Sequence, residues 1–404
     1  MFPSDDPPSP GGSYRIVFEI VEVVEQEEAD VEAIDALLRA MYGALVATDV
    51  LVLLGAARLA DRFLVSQAVA QLLASRLAYV PADAITDDVL ALVFDAYSAL
   101  LATPLPLELI DKCRVFLRTA FRNVPDVVTQ PALLERFLAL PHAAVVAWAK
   151  SDSLQVHSAN EVVYLLSAWV RAQETAGCPC SAEQLELLVD TMRLAACGPS
   201  YLQMIVPALD WFKSGLGRLG AFALSRELKK AGLLYTRPFG VPNAWWADTP
   251  REKLASCEAV MEFKVNAEKL EKLEMLDGKN CTIFDSVFVN GFWVTPFVKC
   301  SASKTAPGEL TLGCFAQVDV AKMTKATPWT EHSAVAFTCS KQVGKAAEMG
   351  PSTFFVTGSK SWGYADTLGV SAASVAALVA PHLEGGQLKG KATFANVDLL
   401  CRRV

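Results

Sequence analysis

The stretch Pro131–Gln173, PALLERFLALPHAAVVAWAKSDSLQVHSANEVVYLLSAWVRAQ, decides the fold class of the chain's first half. Leu133, Leu134, Phe137 and Leu138 recur at three- and four-residue spacing, which sets them on one face of a helix. Pro141 ends that helix, because its ring excludes the preceding turn and it has no N–H to donate. A short second helix follows, with Val145, Val146 and Trp148 supplying bulk. After the polar run Ser151-Asp152-Ser153, a third helix starts at Ser158-Ala159-Asn160-Glu161. The spacing is that of a capping box: the Ser158 hydroxyl accepts from the Glu161 N–H, and the Glu161 carboxylate reaches back. Val162, Leu165, Leu166, Trp169 and Val170 then form another apolar stripe. Taken alone, these residues describe a helical core.

The helical pattern extends to both sides. Upstream, Ile34, Leu37, Leu38 and Met41 share a side of a helix over Val31–Tyr42, with Gly43 as its C-cap. Asp49 is placed to cap a helix running to Arg62, and a further helix spans Val65–Leu77. Two more stripes follow, Val89, Leu90, Leu92, Val93 and Tyr97, then Leu109, Ile110, Cys113, Phe116 and Leu117. Downstream, Leu185–Leu194, Ser200–Phe212 and Ala221–Ala231 read as helices. Residues 1–13 are Pro-, Gly- and Asp-rich without periodicity and read as disordered. Tyr14–Ile20 has the β-branched and aromatic content of a strand.

After Thr236–Pro250, TRPFGVPNAWWADTP, the period changes from helix to strand. Alternation marks Val260–Val265, Cys281–Val289, Phe292–Cys300, Leu310–Val320, Ala334–Cys339 and Thr353–Thr357. Asp277-Gly278, Asn290-Gly291 and Pro307-Gly308 supply turns, and Asn290-Gly291 between apolar runs is a hairpin signal. Many short strands with turns between them argue for a β-sandwich.

At 404 residues the chain has room for two or three domains. A net charge of −8, with no dense Lys/Arg block, argues against a nucleic-acid binder working by counterion release. The apolar runs Ala44–Ala57 and Leu194–Leu209 are interrupted and too short to span a bilayer, so no membrane segment is expected. The acidic, Pro-rich start does not read as a signal peptide, and the ten cysteines never fall in a CxxC pair. The expected compartment is therefore the cytosol or nucleus, where the Asn280-Cys281-Thr282 sequon has no meaning.

No chemistry-bearing motif stands out. His142, His157, His332 and His382 lack ligand spacing, and there is no nucleophile elbow or Walker A loop. Cys178-Pro179-Cys180 reads as a surface loop before a metal half-site, since no partner Cys or His lies nearby. Gly215–Gly220 formally matches GxGxxG, but a helix precedes it where the dinucleotide fingerprint needs a strand, so it reads as a linker. No cofactor, metal or catalytic residue is expected.

The order of the parts resembles a known architecture. Leu138–Pro141, Ser151–Val156, Glu161–Val163 and Trp169–Arg171 sit where BACK domains have them. Leu37–Gly43 with Leu59–Val65 resembles the second half of a BTB domain. Leu109–Cys113 with Phe116-Leu117 resembles the helical pair that links BTB to BACK. Ser361–Tyr364, a short helical piece around Ser371–Leu378 and Gly386–Phe394 resemble the closing section of MATH (TRAF-like) domains. The resemblance implies a multidomain α plus β chain. It would hold a disordered 1–13, a partial BTB (α/β) over 14–80, an all-helical BACK domain over 84–235, a linker over 236–255, and an antiparallel MATH-like sandwich over 256–404. BTB domains carry two further helices and several strands ahead of this point, so the BTB part is expected to be truncated at its N-terminus.

BTB-BACK proteins are substrate adaptors of cullin-3 ubiquitin ligases. The resemblance therefore implies a non-catalytic adaptor with cullin-3 and a protein substrate as partners, and a homodimer where a full BTB exists. It implies a cullin face that includes Tyr42, Leu109 and Phe116; Tyr42 is equally a packed helix-end tyrosine. The family's acidic hydrophobic-x-Glu motif is missing from FPSDDPPSPGGSY. A scaffold or transcription-associated protein using the same modules without a ligase is the rival expectation. No residue of a substrate groove is assigned.

Overall fold

The computed structural model describes residues 28–44, 49–95, 104–198, 201, 202, 205–216, 251–254, 258–266, 268, 270, 281–319, 322, 335–343, 349–356, 362–364 and 367–396. The expected strand at 14–20, helix at 221–231, turn at 277–278, Trp245, Trp246 and His332 lie outside these residues, as does most of the linker. The described residues are α plus β, with twelve α-helices and two antiparallel sheets. They fall into two compact units: residues up to Ala84 with 104–110, and residues 85–95 with those from Asp111 onward.

The first unit holds α1 (Glu28–Met41), α2 (Val50–Arg62) and α3 (Gln67–Ala78). Asp49 caps α2 by accepting the Leu51 N–H at 2.7 Å. Gly43, at φ +69, ends α1 as expected, and the Ala44 N–H reaches back to the Arg39 carbonyl at 2.8 Å. Ala33, Ala36 and Ala40 are buried on α1. A Cβ added at Gly55 of α2 would lie 2.9 Å from the Ala33 Cβ, so small residues set this helix spacing. Beside α2 and α3 a cleft of about 300 Å³ is lined chiefly by Ala57, Ala60, Ala70, Ala74, Leu77 and Leu105.

In the second unit, α4 (Asp87–Val93) precedes α5 (Leu107–Ala120), whose first turn belongs to the first unit. Next come α6 (Val124–Thr129), α7 (Pro131–Leu138), α8 (His142–Ala149), α9 (Ala159–Thr175), α10 (Ala182–Val189) and α11 (Asp210–Gly215). Helices α7 and α8 meet at a bend of 116° around Pro141, which also starts α8. Phe137 meets Phe121 and Trp148 edge-on at 5.6 and 4.7 Å. The buried Trp148 and Trp169 indoles are satisfied by main chain: Trp148 Nε1 donates to the Phe121 carbonyl and Trp169 Nε1 to the Leu140 carbonyl, each at 2.9 Å. Among the described residues, no single helix is long and apolar enough to cross a membrane.

Two local expectations differ from the structure. The Ser158 hydroxyl accepts from the Asn160 N–H at 3.2 Å, not from Glu161. The Glu161 carboxylate is committed to His157 instead, accepting its main-chain N–H at 2.9 Å and lying 2.7 Å from its Nδ1. With a side chain 0% exposed, Glu161 needs a full set of partners, and the imidazole supplies one that the Ser158 N–H alone does not. A continuous helix over 200–212 is also absent: Pro207 sits in a 3₁₀ turn, Val206–Ala208, and helix resumes only at Asp210.

Strands β1 (Gln155–Val156) and β2 (Glu252–Lys253) form a short parallel pair. The remaining strands are β3 (Glu258–Asn266), β4 (Cys281–Ile283), β5 (Val287–Val289), β6 (Phe292–Ala302), β7 (Leu310–Val318), β8 (Val335–Val343), β9 (Met349–Val356), β10 (Trp362–Tyr364), β11 (Leu383–Glu384) and β12 (Gln387–Asn396). One sheet runs β10-β7-β6-β4 with β5 also on β6; the other runs β11-β12-β8-β9 with β3 on the free side of β12. Asn290 and Gly291, at φ +50 and +84, make the two-residue turn between β5 and β6, so the hairpin expectation holds. The sheets touch where Phe263 of β3 stacks on Phe284 at 4.5 Å. Helix α12 (Val375–Val379) lies on β7 and buries Val375, Leu378 and Val379.

Candidate interaction sites

Within the second unit, the helical part and the sheets meet along a seam built from three directions. The first is the segment ahead of β2. Arg251, only 4% exposed, donates from its guanidinium to the Ala149 carbonyl at 2.6 Å, at the C-terminal end of α8. Arg193 reaches the same helix end, where it pairs with Asp152 and contacts the Lys150 carbonyl at 3.5 Å. Burial, and then the neighbouring Arg193 charge, pull the Arg251 pKa down to about 10. Glu252 bridges Arg122 at 2.6 Å and the Gln155 amide at 3.0 Å, and these hydrogen bonds hold its carboxyl below the usual range. The Leu254 N–H continues the pairing to the Val156 carbonyl at 3.0 Å.

The second direction is the β5–β6 turn, which docks on the start of α9. Asn160 donates from Nδ2 to the Asn290 carbonyl at 3.1 Å and accepts the Gly198 N–H at 2.9 Å through Oδ1. The glycine at 291 is forced twice over, by φ +84 and because an added Cβ would lie 2.5 Å from the Asn160 Cβ. Phe292 meets Tyr201 edge-on at 5.3 Å, and burial pushes the Tyr201 hydroxyl well above its ordinary pKa.

The third is an aromatic group on the middle of α9. Tyr164 lies 5.0 Å from Phe288 and 6.3 Å from Trp293 between ring centroids, and Trp293 Nε1 donates to its hydroxyl at 2.7 Å. Two turns onward, the Arg171 guanidinium donates to the Lys322 carbonyl at 3.0 Å. Residues 159–167 of α9 are therefore buried without a break, including Asn160, Glu161 and Ser167. An amphipathic stripe predicts one covered face; here the other is covered too, by the sheets at Asn160 and Tyr164, by His157 at Glu161 and by Trp211 of α11 at Ser167.

The three residues expected on a cullin face are placed differently from one another. Tyr42, just past the end of α1, is 79% exposed and available for contact. Leu109 is 0% exposed and belongs to the core, so its side chain is not a contact surface. Its helix face is set by the stripe with Cys113 and Leu117, both fully buried, and burial pushes the Cys113 thiol up to about 12. Phe116 is half-buried, beside exposed Val115. The first unit adds exposed Val31, Leu38, Met41, Phe63, Leu64 and Tyr79. The resemblance assigned none of these six to the cullin face, although Leu38, Met41, Phe63 and Leu64 lie inside the BTB-like stretches.

Among the described residues no group of three or more His, Cys, Asp or Glu side chains is arranged to hold a metal. Cys178 is exposed and Cys180 half-buried in the α9–α10 loop. Gly215 ends α11 against α10, where a Cβ would come within 2.7 Å of the Leu185 carbonyl oxygen, so that glycine serves helix packing. No family model matches the chain, and no curated protein matches it either.

Proposed function

We propose that this chain is a non-catalytic adaptor of a cullin-3 RING ubiquitin ligase, with BTB-like and BACK-like helices toward the cullin and a MATH-like sandwich toward the substrate. The observation that carries this reading is the seam. A helical part and a strand-rich part are locked by buried hydrogen bonds at Asn160–Asn290 and Arg251–Ala149. An adaptor acts by proximity, holding its substrate where effective concentration is high, and that requires a fixed placement of the two parts. The exposed apolar side chains of the first unit, Tyr42 among them, support a protein-binding role for it.

The test is retention of the cullin-3 N-terminal region on the immobilised full chain at micromolar concentration. Retention that Tyr42→Ala abolishes supports the reading, and its absence removes the ligase from it. The second reading, a scaffold without a ligase, is favoured by one specific feature, the missing hydrophobic-x-Glu motif ahead of Tyr14. Under that reading the sheets still bind protein, and cullin-3 is not retained.

A further inference from the structure

The aromatic group on α9 already holds an ammonium, and it is the chain's own. Lys322 Nζ sits 4.7 Å from the centroid of the Trp293 ring. It donates to the Ser286 hydroxyl at 2.9 Å and lies 3.8 Å from the Asp319 carboxylate. The indole is fixed from behind by its hydrogen bond to Tyr164 and by Phe288, whose ring centroid is 5.3 Å away. Indole is the strongest of the aromatic faces for a cation, and a carboxylate and a hydroxyl acceptor complete the surroundings an ammonium requires.

Two features make this seat exchangeable. The Lys322 and Asp319 side chains are 45% and 26% exposed, so solvent reaches the ammonium. The main chain of Lys322 is anchored separately, through its carbonyl to Arg171 and through its N–H to Asp319 Oδ1 at 3.4 Å. The four-carbon stem can therefore swing into water while the backbone stays, and rotation about its side-chain bonds is rapid. We propose that the outer face of Trp293 is a recognition seat for a lysine-type ammonium, methylated or not, on a bound protein, and that Lys322 occupies it as a built-in competitor. This deepens the substrate-holding role proposed for the sheets and rests on it.

The test uses the full chain and Nα-acetyl-trimethyllysine amide as probe, with its neutral tert-butyl isostere as control. Binding is read from the Trp293 indole N–H resonance, assigned by its loss in Trp293→Phe. In Lys322→Ala the probe is expected to bind roughly tenfold more tightly than in the native chain, the size of a partly desolvated cation–π contact. The isostere is expected to shift nothing. An equal shift from the neutral isostere, or no shift from the probe in both Lys322→Ala and Lys322→Gln, overturns the seat. The indole resonance, set by the Tyr164 hydrogen bond, shows that each variant is folded. Cullin-3 retention is an independent readout: a chain that takes the probe but not cullin-3 keeps the seat and loses the ligase.

Discussion

Asn160, in the first turn of α9, donates to the main-chain carbonyl of Asn290, 130 residues further along the chain, and accepts the N–H of Gly198 with its other amide atom. One side chain, 1% exposed, thus satisfies two main-chain groups from two different segments. Leucine at 160 would fill similar volume and leave both groups buried without partners. Each such loss costs about 1–3 kcal/mol, so Asn160→Leu is expected to destabilise by about 2–6 kcal/mol. Asn160→Asp keeps the acceptor and loses the donor, and should fall between. Urea denaturation of the three proteins checks this; a loss below about 0.5 kcal/mol in Asn160→Leu would mean that the seam is held elsewhere.

Gly291 and Gly308 separate backbone strain from close approach. Both have φ +84, but a Cβ at 308 would meet nothing within 4 Å, whereas one at 291 would press on Asn160 and Tyr201. Gly308→Ala is expected to lose about 1 kcal/mol, the conformational cost alone. Gly291→Ala should lose clearly more, by about 1–3 kcal/mol of added overpacking. Equal losses in parallel denaturation curves would show that the turn yields freely against α9.

Tyr42 and Leu109 come from the same family resemblance and should fail differently. Tyr42→Ala removes an exposed ring and is expected to change stability by less than about 0.5 kcal/mol, so weakened cullin-3 binding would report contact. Leu109→Ala opens a hole in the core and is expected to cost about 2–5 kcal/mol, with any binding loss following from unfolding. Thermal denaturation beside the binding assay distinguishes the two. Weakened cullin-3 binding by Leu109→Ala at unchanged stability would contradict the core placement.

What was legible in the sequence was what local periodicity and turn chemistry determine. The caps at Gly43 and Asp49, the break at Pro141 and the Asn290-Gly291 turn all follow from a few neighbouring residues. The seam was not legible, because Asn160, Arg251 and Trp293 find their partners across roughly a hundred residues or more. Nothing in the neighbours of Asn160 distinguishes an N-terminal helix residue from a tie to a distant hairpin. The Glu161 carboxylate shows the same limit at short range. Its spacing fits a capping box, yet burial gives it to His157. The one available hint was the Asn-Gly pair itself, since a turn flanked by aromatic residues on both strands needs something to cover it.

His142 provides a pH test of the helical packing. Its Nε2 lies 2.9 Å from the Gln184 carbonyl, and its ring is 5.9 Å from that of Trp169. Burial lowers its pKa below the ordinary 6.5, only partly opposed by the Gln184 carbonyl. The folded imidazole therefore takes a proton less readily than the unfolded one. Stability from this group is fully present above the unfolded value and is lost as pH falls through about 6.5 toward the depressed folded value, at up to about 1.4 kcal/mol per pH unit. Asp190 works the other way in a lower window, since burial and Glu186 raise its carboxyl, so the native pH profile alone is ambiguous. His142→Gln keeps a donor for the Gln184 carbonyl and does not titrate. The difference between native and His142→Gln unfolding free energies, measured from pH 7.5 to 5, is expected to shift in favour of the variant as pH falls. A difference that stays flat would show that the imidazole titrates equally in both states, and hence that the α8–α10 contact leaves it open to water.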